Sequence, residues 1–193
     1  MINPHEKIMR TLKEGLEAYY KVLIGECAFE YLVLDLDCSR VPLMELSKKA
    51  DAPLETKFFW DQLNANGKQI YKQPCLYYFE IVSPDNQMIL NTYRDFRKNN
   101  AGRASAALKK YPPLDSNILY VGKVKQDIDS RMYIHLGYYY KGSTAGLQFA
   151  HWANSINLQL KLHIFAFDRG MKEFIDPLEL PLARHLKPLI GKH

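Results

Sequence analysis

At 193 residues, with 47% apolar and 12% aromatic side chains, the chain suits one domain with a sizeable attachment and can build a proper core, which excludes a disordered or fibrous protein. No run of eighteen apolar residues occurs, and Met1–Lys7 lacks the apolar stretch of a secretory signal, so no membrane partner and a cytoplasmic location are expected. The net charge of +5 is uneven: residues 1–100 carry 13 Lys/Arg against 14 Asp/Glu, a balance of −1, and residues 101–193 carry 13 against 7, a balance of +6.

A positive half-chain suits an anionic partner, because Lys and Arg that neutralise phosphates release counterions. The three cysteines, Cys27, Cys38 and Cys75, are odd in number and have no CxxC spacing, so reduced thiols are expected rather than a disulfide framework or a zinc site.

Along the chain, Glu6 to about Ile24 reads as an amphipathic helix, with apolar residues recurring at Ile8, Leu12, Leu16, Tyr19 and Leu23. Phe29–Asp35 fits either a strand or a buried helix segment. Val41-Pro42 predicts a short helix over Leu43–Ala50, since proline suits a first turn. Residues 51–74 mix Pro53, Gly67 and Pro74 and carry no clear element.

Leu76–Val82 predicts a strand, closed by the turn formers Ser83-Pro84-Asp85-Asn86. Residues 87–110 read as helical and basic, and Asn117–Val124 as a second strand. Asp127 is a good N-cap for a helix running to about Gly137, and Thr144 for another carrying Leu147, Ala150, His151 and Trp152. Leu160–Phe167 alternates as a third strand, and a last helix runs from near Asp176-Pro177 to about Lys187. The expected class is α+β: a three-stranded antiparallel sheet flanked by helices over residues 68–193, preceded by a mainly helical extension over 1–67.

The second half resembles the GIY-YIG nucleases, over roughly residues 74–193. Pro74-Cys75-Leu76-Tyr77 stands where that family has its first Gly-Ile-Tyr-like strand, with Cys75 in place of glycine. Leu119-Tyr120-Val121-Gly122-Lys123 is similar to the second tripeptide and the lysine that often follows it. Arg131 lies on the next helix, where the family keeps an arginine, and His135 one turn later, where restriction-type members carry a histidine. Glu179 then resembles the metal-binding glutamate, with Pro188 nine positions on and Gly191 twelve positions on, where an asparagine is usual. Tyr77 and Tyr120 are 43 positions apart, because an insertion at about 84–115 separates the two strands; loop-closure entropy grows slowly enough to allow it.

The resemblance implies a hydrolase: a metal-dependent endonuclease acting on the phosphodiester bonds of DNA, with Mg²⁺ or Mn²⁺ and no organic cofactor. Breaking such a bond needs a positioned water, charge relief on the phosphate, and help for the leaving oxygen. Glu179 is then the carboxylate for the metal, with Glu173 and Asp176 as neighbouring rivals; Arg131 offers a cationic fork to phosphate. Tyr77 takes the proton from water, directly or through His135, and Tyr120 orients water or phosphate. A phenol of pKa ~10 is a poor base, so Lys123, Arg131 and the metal must favour its ionisation. The basic insertion, with Arg94, Arg97, Lys98, Arg103, Lys109 and Lys110 against Asp95, is the candidate DNA grip. Taken singly, these residues also fit a packed strand tyrosine, a helix-dipole carboxylate or a solvated basic face. His151, Trp152 and His163 read as packing residues. The alternative is a catalytically silent domain that binds nucleic acid or protein, for which Gly191 and Cys75 speak.

Overall fold

The computed structural model describes residues 4–23, 29–43, 54–65, 70–99, 104–138 and 145–192. Among these residues four strands, β1 (Phe29–Asp37), β2 (Cys75–Ser83), β3 (Ile118–Val124) and β4 (Gln159–Phe167), pair antiparallel in the order β1-β4-β2-β3. The last three coincide with the expected strands to within one residue. The expected count of three is corrected to four, because β1 from the N-terminal extension pairs with β4 along its whole length. A short apolar run satisfies helix and strand patterns alike, and only the free edge of β4 decides between them.

Among the described residues five helices, α1 (Pro4–Leu23), α2 (Lys57–Ala65), α3 (Asn86–Asn99), α4 (Ile128–Leu136) and α5 (Ile175–Leu186), complete an α+β fold. One sheet face presents Leu34, Leu36, Tyr77, Phe79, Leu162 and Ile164 to Phe59 of α2, Ile89 and Tyr93 of α3, and Met132 and Leu136 of α4. The other face is covered over β3 and β2 by α5, where Ala183, Leu182 and Leu186 meet Ile118, Val121 and Tyr78. Such apolar burial is worth about 25 cal/mol per Å² and is the main term holding the layers together. No described helix is long and apolar enough to cross a membrane.

Residues outside these layers depart from local expectation in informative ways. The helix expected over 87–110 ends at Asn99; residues 104–117 run without helix, with Ser105 bridged to Gly146 and Leu108 to Ile190. Ala104, Ala106 and Ala107 pair their backbone groups with Gly146 and Gly191 far along the chain instead of with a helical turn. Residues after 144 form two 3₁₀ turns, Phe149–His151 and Ala153–Ile156, in place of the expected helix. The Trp152 indole donates to the Leu147 carbonyl (2.8 Å), taking an acceptor that a helix would have used, and Gln148 and Asn157 adopt left-handed backbone. Thr144, its expected cap, lies outside the described residues, as do residues 44–50 of the short helix expected over Leu43–Ala50. Helix α1 forms as expected, but Ile8, Met9, Leu12, Leu16 and Tyr20 on its apolar side are exposed. Cys38 and Cys75 are buried free thiols; Cys27 lies outside the described residues.

Candidate active site

Side chains alternate faces along a strand, so register decides which residues meet. Tyr77 of β2 is opposite Gly122 of β3, and Phe79 is opposite Tyr120, which puts both tyrosines on the α4 face. The space between them exists because residue 122 has no side chain. A Cβ there would lie 2.5 Å from Cζ and Oη of Tyr77 and 2.8 Å from the Tyr120 ring. The glycine of Tyr120-Val121-Gly122 is therefore a packing requirement of the tyrosine pair, not a turn.

Helix α4 brings Arg131 and His135 to the same place. Asp127 caps it by accepting from Ser130 N (3.0 Å), and Gly137, at φ 95°, ends it in left-handed backbone. Arg131 donates from Nε to Tyr77 Oη (2.8 Å), from one terminal nitrogen to Tyr120 Oη (3.2 Å), and from the other to the Ala145 carbonyl (2.9 Å). The guanidinium plane thus fixes both hydroxyls at once. His135 is fully buried and its Nδ1 accepts from Leu147 N (3.2 Å). That nitrogen carries no proton, so the neutral ring holds its proton on Nε2, 2.9 Å from Tyr77 Oη. Two N–H groups therefore point at one phenol oxygen.

Burial pushes the Tyr77 phenol well above its usual range and Arg131 pulls it part of the way back. Tyr120 is raised by burial in the same way, again against Arg131. Burial, with the Arg131 charge, holds His135 well below its ordinary pKa, so the ring is neutral. In both tyrosines the charge of Glu179 also opposes ionisation.

Lys123, next to Gly122, leaves β3 on the opposite face and reaches α5. Its ammonium lies 3.0 Å from Glu179 Oε2 and 3.1 Å from Asp176 Oδ1. Burial works to lower its pKa, and the two carboxylates outweigh that and raise it. Asp176 also meets Lys125 (3.1 Å), which in turn meets Glu173 (3.0 Å). Asp176, expected only as a rival to Glu179, stands three residues earlier on the same helix face and shares its lysine. Because β3 is the outer strand, the tyrosine pair and the carboxylate pair lie on its two faces.

Behind α5 the chain returns along that strand. Leu189 N and Ile190 N donate to the carbonyls of Ile118 and Leu119, and Gly191 N donates to that of Ala107. Gly191 has φ 128° and a Cβ there would lie 3.7 Å from the Tyr120 ring. Only glycine adopts that backbone readily, which explains the residue found where an asparagine is expected.

The remaining candidates are scattered. Arg94, Arg97 and Lys98 lie on exposed positions of α3, where Arg94 bonds Asn91 and Arg97 bonds Ser105. Lys109 and Lys110 lie beyond the helix, the first half-buried and held below its usual pKa by that burial. Arg103 lies outside the described residues. His163 packs as expected, stacked on Tyr78 with ring centroids 4.3 Å apart, and it also bonds Tyr31 and Glu80. Among the described residues no group of three or more His, Cys, Asp or Glu could hold a metal; a site of one carboxylate completed by phosphate oxygen and water needs no such group.

No family model, curated protein or solved structure matches the chain.

Proposed function

We propose that this protein is a metal-dependent endonuclease that hydrolyses the phosphodiester backbone of DNA. The observation that carries the reading is the convergence of the Tyr77 and Tyr120 hydroxyls on the Arg131 guanidinium, beside a carboxylate-bearing edge. Arg131 would offer its positive charge to a non-bridging phosphate oxygen, and Tyr120 would orient the phosphate or the attacking water through its hydroxyl. Tyr77, ionised beforehand with its own proton lost to solvent, would take the proton from that water and return to the neutral phenol. With its oxygen already receiving N–H bonds from Arg131 and His135, the phenolate has its charge compensated the moment it forms. Both ring nitrogens of His135 are engaged, Nδ1 by Leu147 and Nε2 by Tyr77, so His135 is a positioning residue and the proton passes to Tyr77 directly.

Glu179, with Asp176 as its neighbour, would hold Mg²⁺ or Mn²⁺. Hard oxygen donors suit these ions, and an ammonium already rests between the two carboxylates, so positive charge is favoured there. Bound metal would supply charge relief to the phosphate and the leaving oxygen.

A second reading, a silent nucleic-acid- or protein-binding domain, is favoured by one feature. Tyr77 is 0% exposed and Lys123 rests on Glu179, so the site is closed in this conformation. Plasmid nicking in Mg²⁺ and in Mn²⁺ separates the two. The nuclease reading expects nicking by the wild type, none by Glu179→Gln, and unchanged melting with slightly tighter metal-free DNA binding by the variant, because a negative charge near phosphate is gone. Wild-type protein that binds plasmid and never nicks it would refute the enzyme and leave the binding domain.

A further inference from the structure

A cleft of about 570 Å³ opens at the end of the sheet where β2 begins and β3 ends, lined by Lys72, Pro74, Lys125, Gln126, Asp127, Arg169 and Lys172. Four of the seven lining residues are cationic, whereas a small-molecule pocket of that size is ordinarily apolar. The single lining carboxylate, Asp127, is turned to the start of α4, where it accepts from Ser130 N (3.0 Å) and Ser130 Oγ (2.6 Å). Two further carboxylates, Glu173 and Asp176, meet Lys125.

The cleft is rigidly tied to the candidate site. Phe167 N donates to the Pro74 carbonyl (2.9 Å), which fixes the cleft wall to the sheet. Asp176 bridges Lys125 in the cleft to Lys123 beside Glu179. Pro74 precedes Tyr77 by three residues and Lys125 follows Lys123 by two, so at the usual strand rise the cleft begins about 10 Å from Tyr77 and about 7 Å from Lys123. That is roughly two or three steps of a nucleic-acid strand.

We propose that this cleft holds the phosphate backbone of the DNA strand on one side of the bond to be cut, with Arg169 and Lys172 as its gripping cations. The assignment rests on DNA as the partner under the nuclease reading, and it moves the grip from the basic insertion to the sheet end. Arg169 and Lys172 are exposed, so their replacement leaves the core untouched.

The test measures anisotropy of a short labelled DNA duplex with the full chain across about 0.05–0.2 M salt. Removing two phosphate contacts in Arg169→Ala/Lys172→Ala should lower the slope of log affinity against log salt by about 1.8, equivalent to about 60-fold weaker binding at 0.1 M salt. Lys72→Ala should act in the same direction, and Arg94→Ala/Arg97→Ala/Lys98→Ala should change the slope less. Equal melting temperatures establish that the variants are folded. A wild type that binds DNA, with cleft variants matching its affinity and slope, overturns the cleft while leaving the nuclease reading intact. Cleft variants that lose binding, together with a wild type that never nicks, uphold the cleft and refute the nuclease. A wild type that binds no DNA at low salt overturns the cleft assignment.

Discussion

The phenol oxygen of Tyr77 receives an N–H from Arg131 and another from His135 inside a fully buried pocket, so its removal costs more than one hydrogen bond. Tyr77→Phe keeps the ring that packs against Phe79 and leaves both donors without their acceptor. An unsatisfied buried donor costs about 1–3 kcal/mol, so urea unfolding should register a loss of that order while plasmid nicking disappears. Retained nicking would remove Tyr77 from the chemistry.

His135 makes a pH prediction of definite sign. The folded protein keeps the ring neutral, and the unfolded chain protonates it below its ordinary pKa of about 6.5. The unfolded state then binds more protons, so stability falls as pH drops, by about 1.4 kcal/mol per pH unit from this group. Unfolding free energies of the wild type and His135→Gln between about pH 7 and pH 5 isolate that slope; parallel curves would mean that the histidine charges in the fold.

At the scale of elements, the strand pairing that sets the site is pinned on the sheet's other face by His163. Its Nε2–H donates to the Glu80 carboxylate (2.8 Å), so Nδ1 is free to accept from the Tyr31 hydroxyl (2.7 Å), and one ring links β1, β4 and β2. His163→Phe keeps the stacking on Tyr78 and loses both bonds. With the net value of a hydrogen bond near 1 kcal/mol, a destabilisation of about 1–2 kcal/mol is expected. Nicking at permissive temperature should be unchanged, because the ring faces away from Tyr77. A drop in nicking without a drop in melting temperature would contradict this purely structural role.

For the whole molecule, the N-terminal extension is bound into the sheet. Residues Phe29–Asp37 pair with Phe167–Gln159, and Leu34, Leu36, Val41, Phe59 and Leu63 join the core that holds Tyr77. Each such side chain contributes about 1.5–3 kcal/mol, and together they rival the 5–15 kcal/mol that typically separates folded from unfolded domains. Deleting residues 1–67 also leaves β4 an unpaired edge. The fragment 68–193 should therefore show no cooperative melting by circular dichroism and should aggregate. Cooperative melting at the wild-type temperature would make the extension dispensable.

Local pattern marks the three strands around the site, α4 with its Asp127 cap, and α5; the residues of the tyrosine–arginine cluster come from the family resemblance. Alternation, capping chemistry and turn formers are local properties, readable within a few residues. Long-range contacts make Phe29–Asp37 a strand, leave residues 104–117 without helix, and turn residues 149–156 into 3₁₀ turns. Each of these depends on a partner far along the chain: the β4 edge, the carbonyl and amide of Gly146, and an indole turned back on Leu147. The same holds for the pairing of Lys123 with Glu179 and Asp176, and for the cationic cleft at the sheet end. Their residues are separated by up to about a hundred positions; packing of α5 against β3 brings the first set together and pairing of β2 with β4 the second, and such long-range juxtaposition leaves no trace in local periodicity.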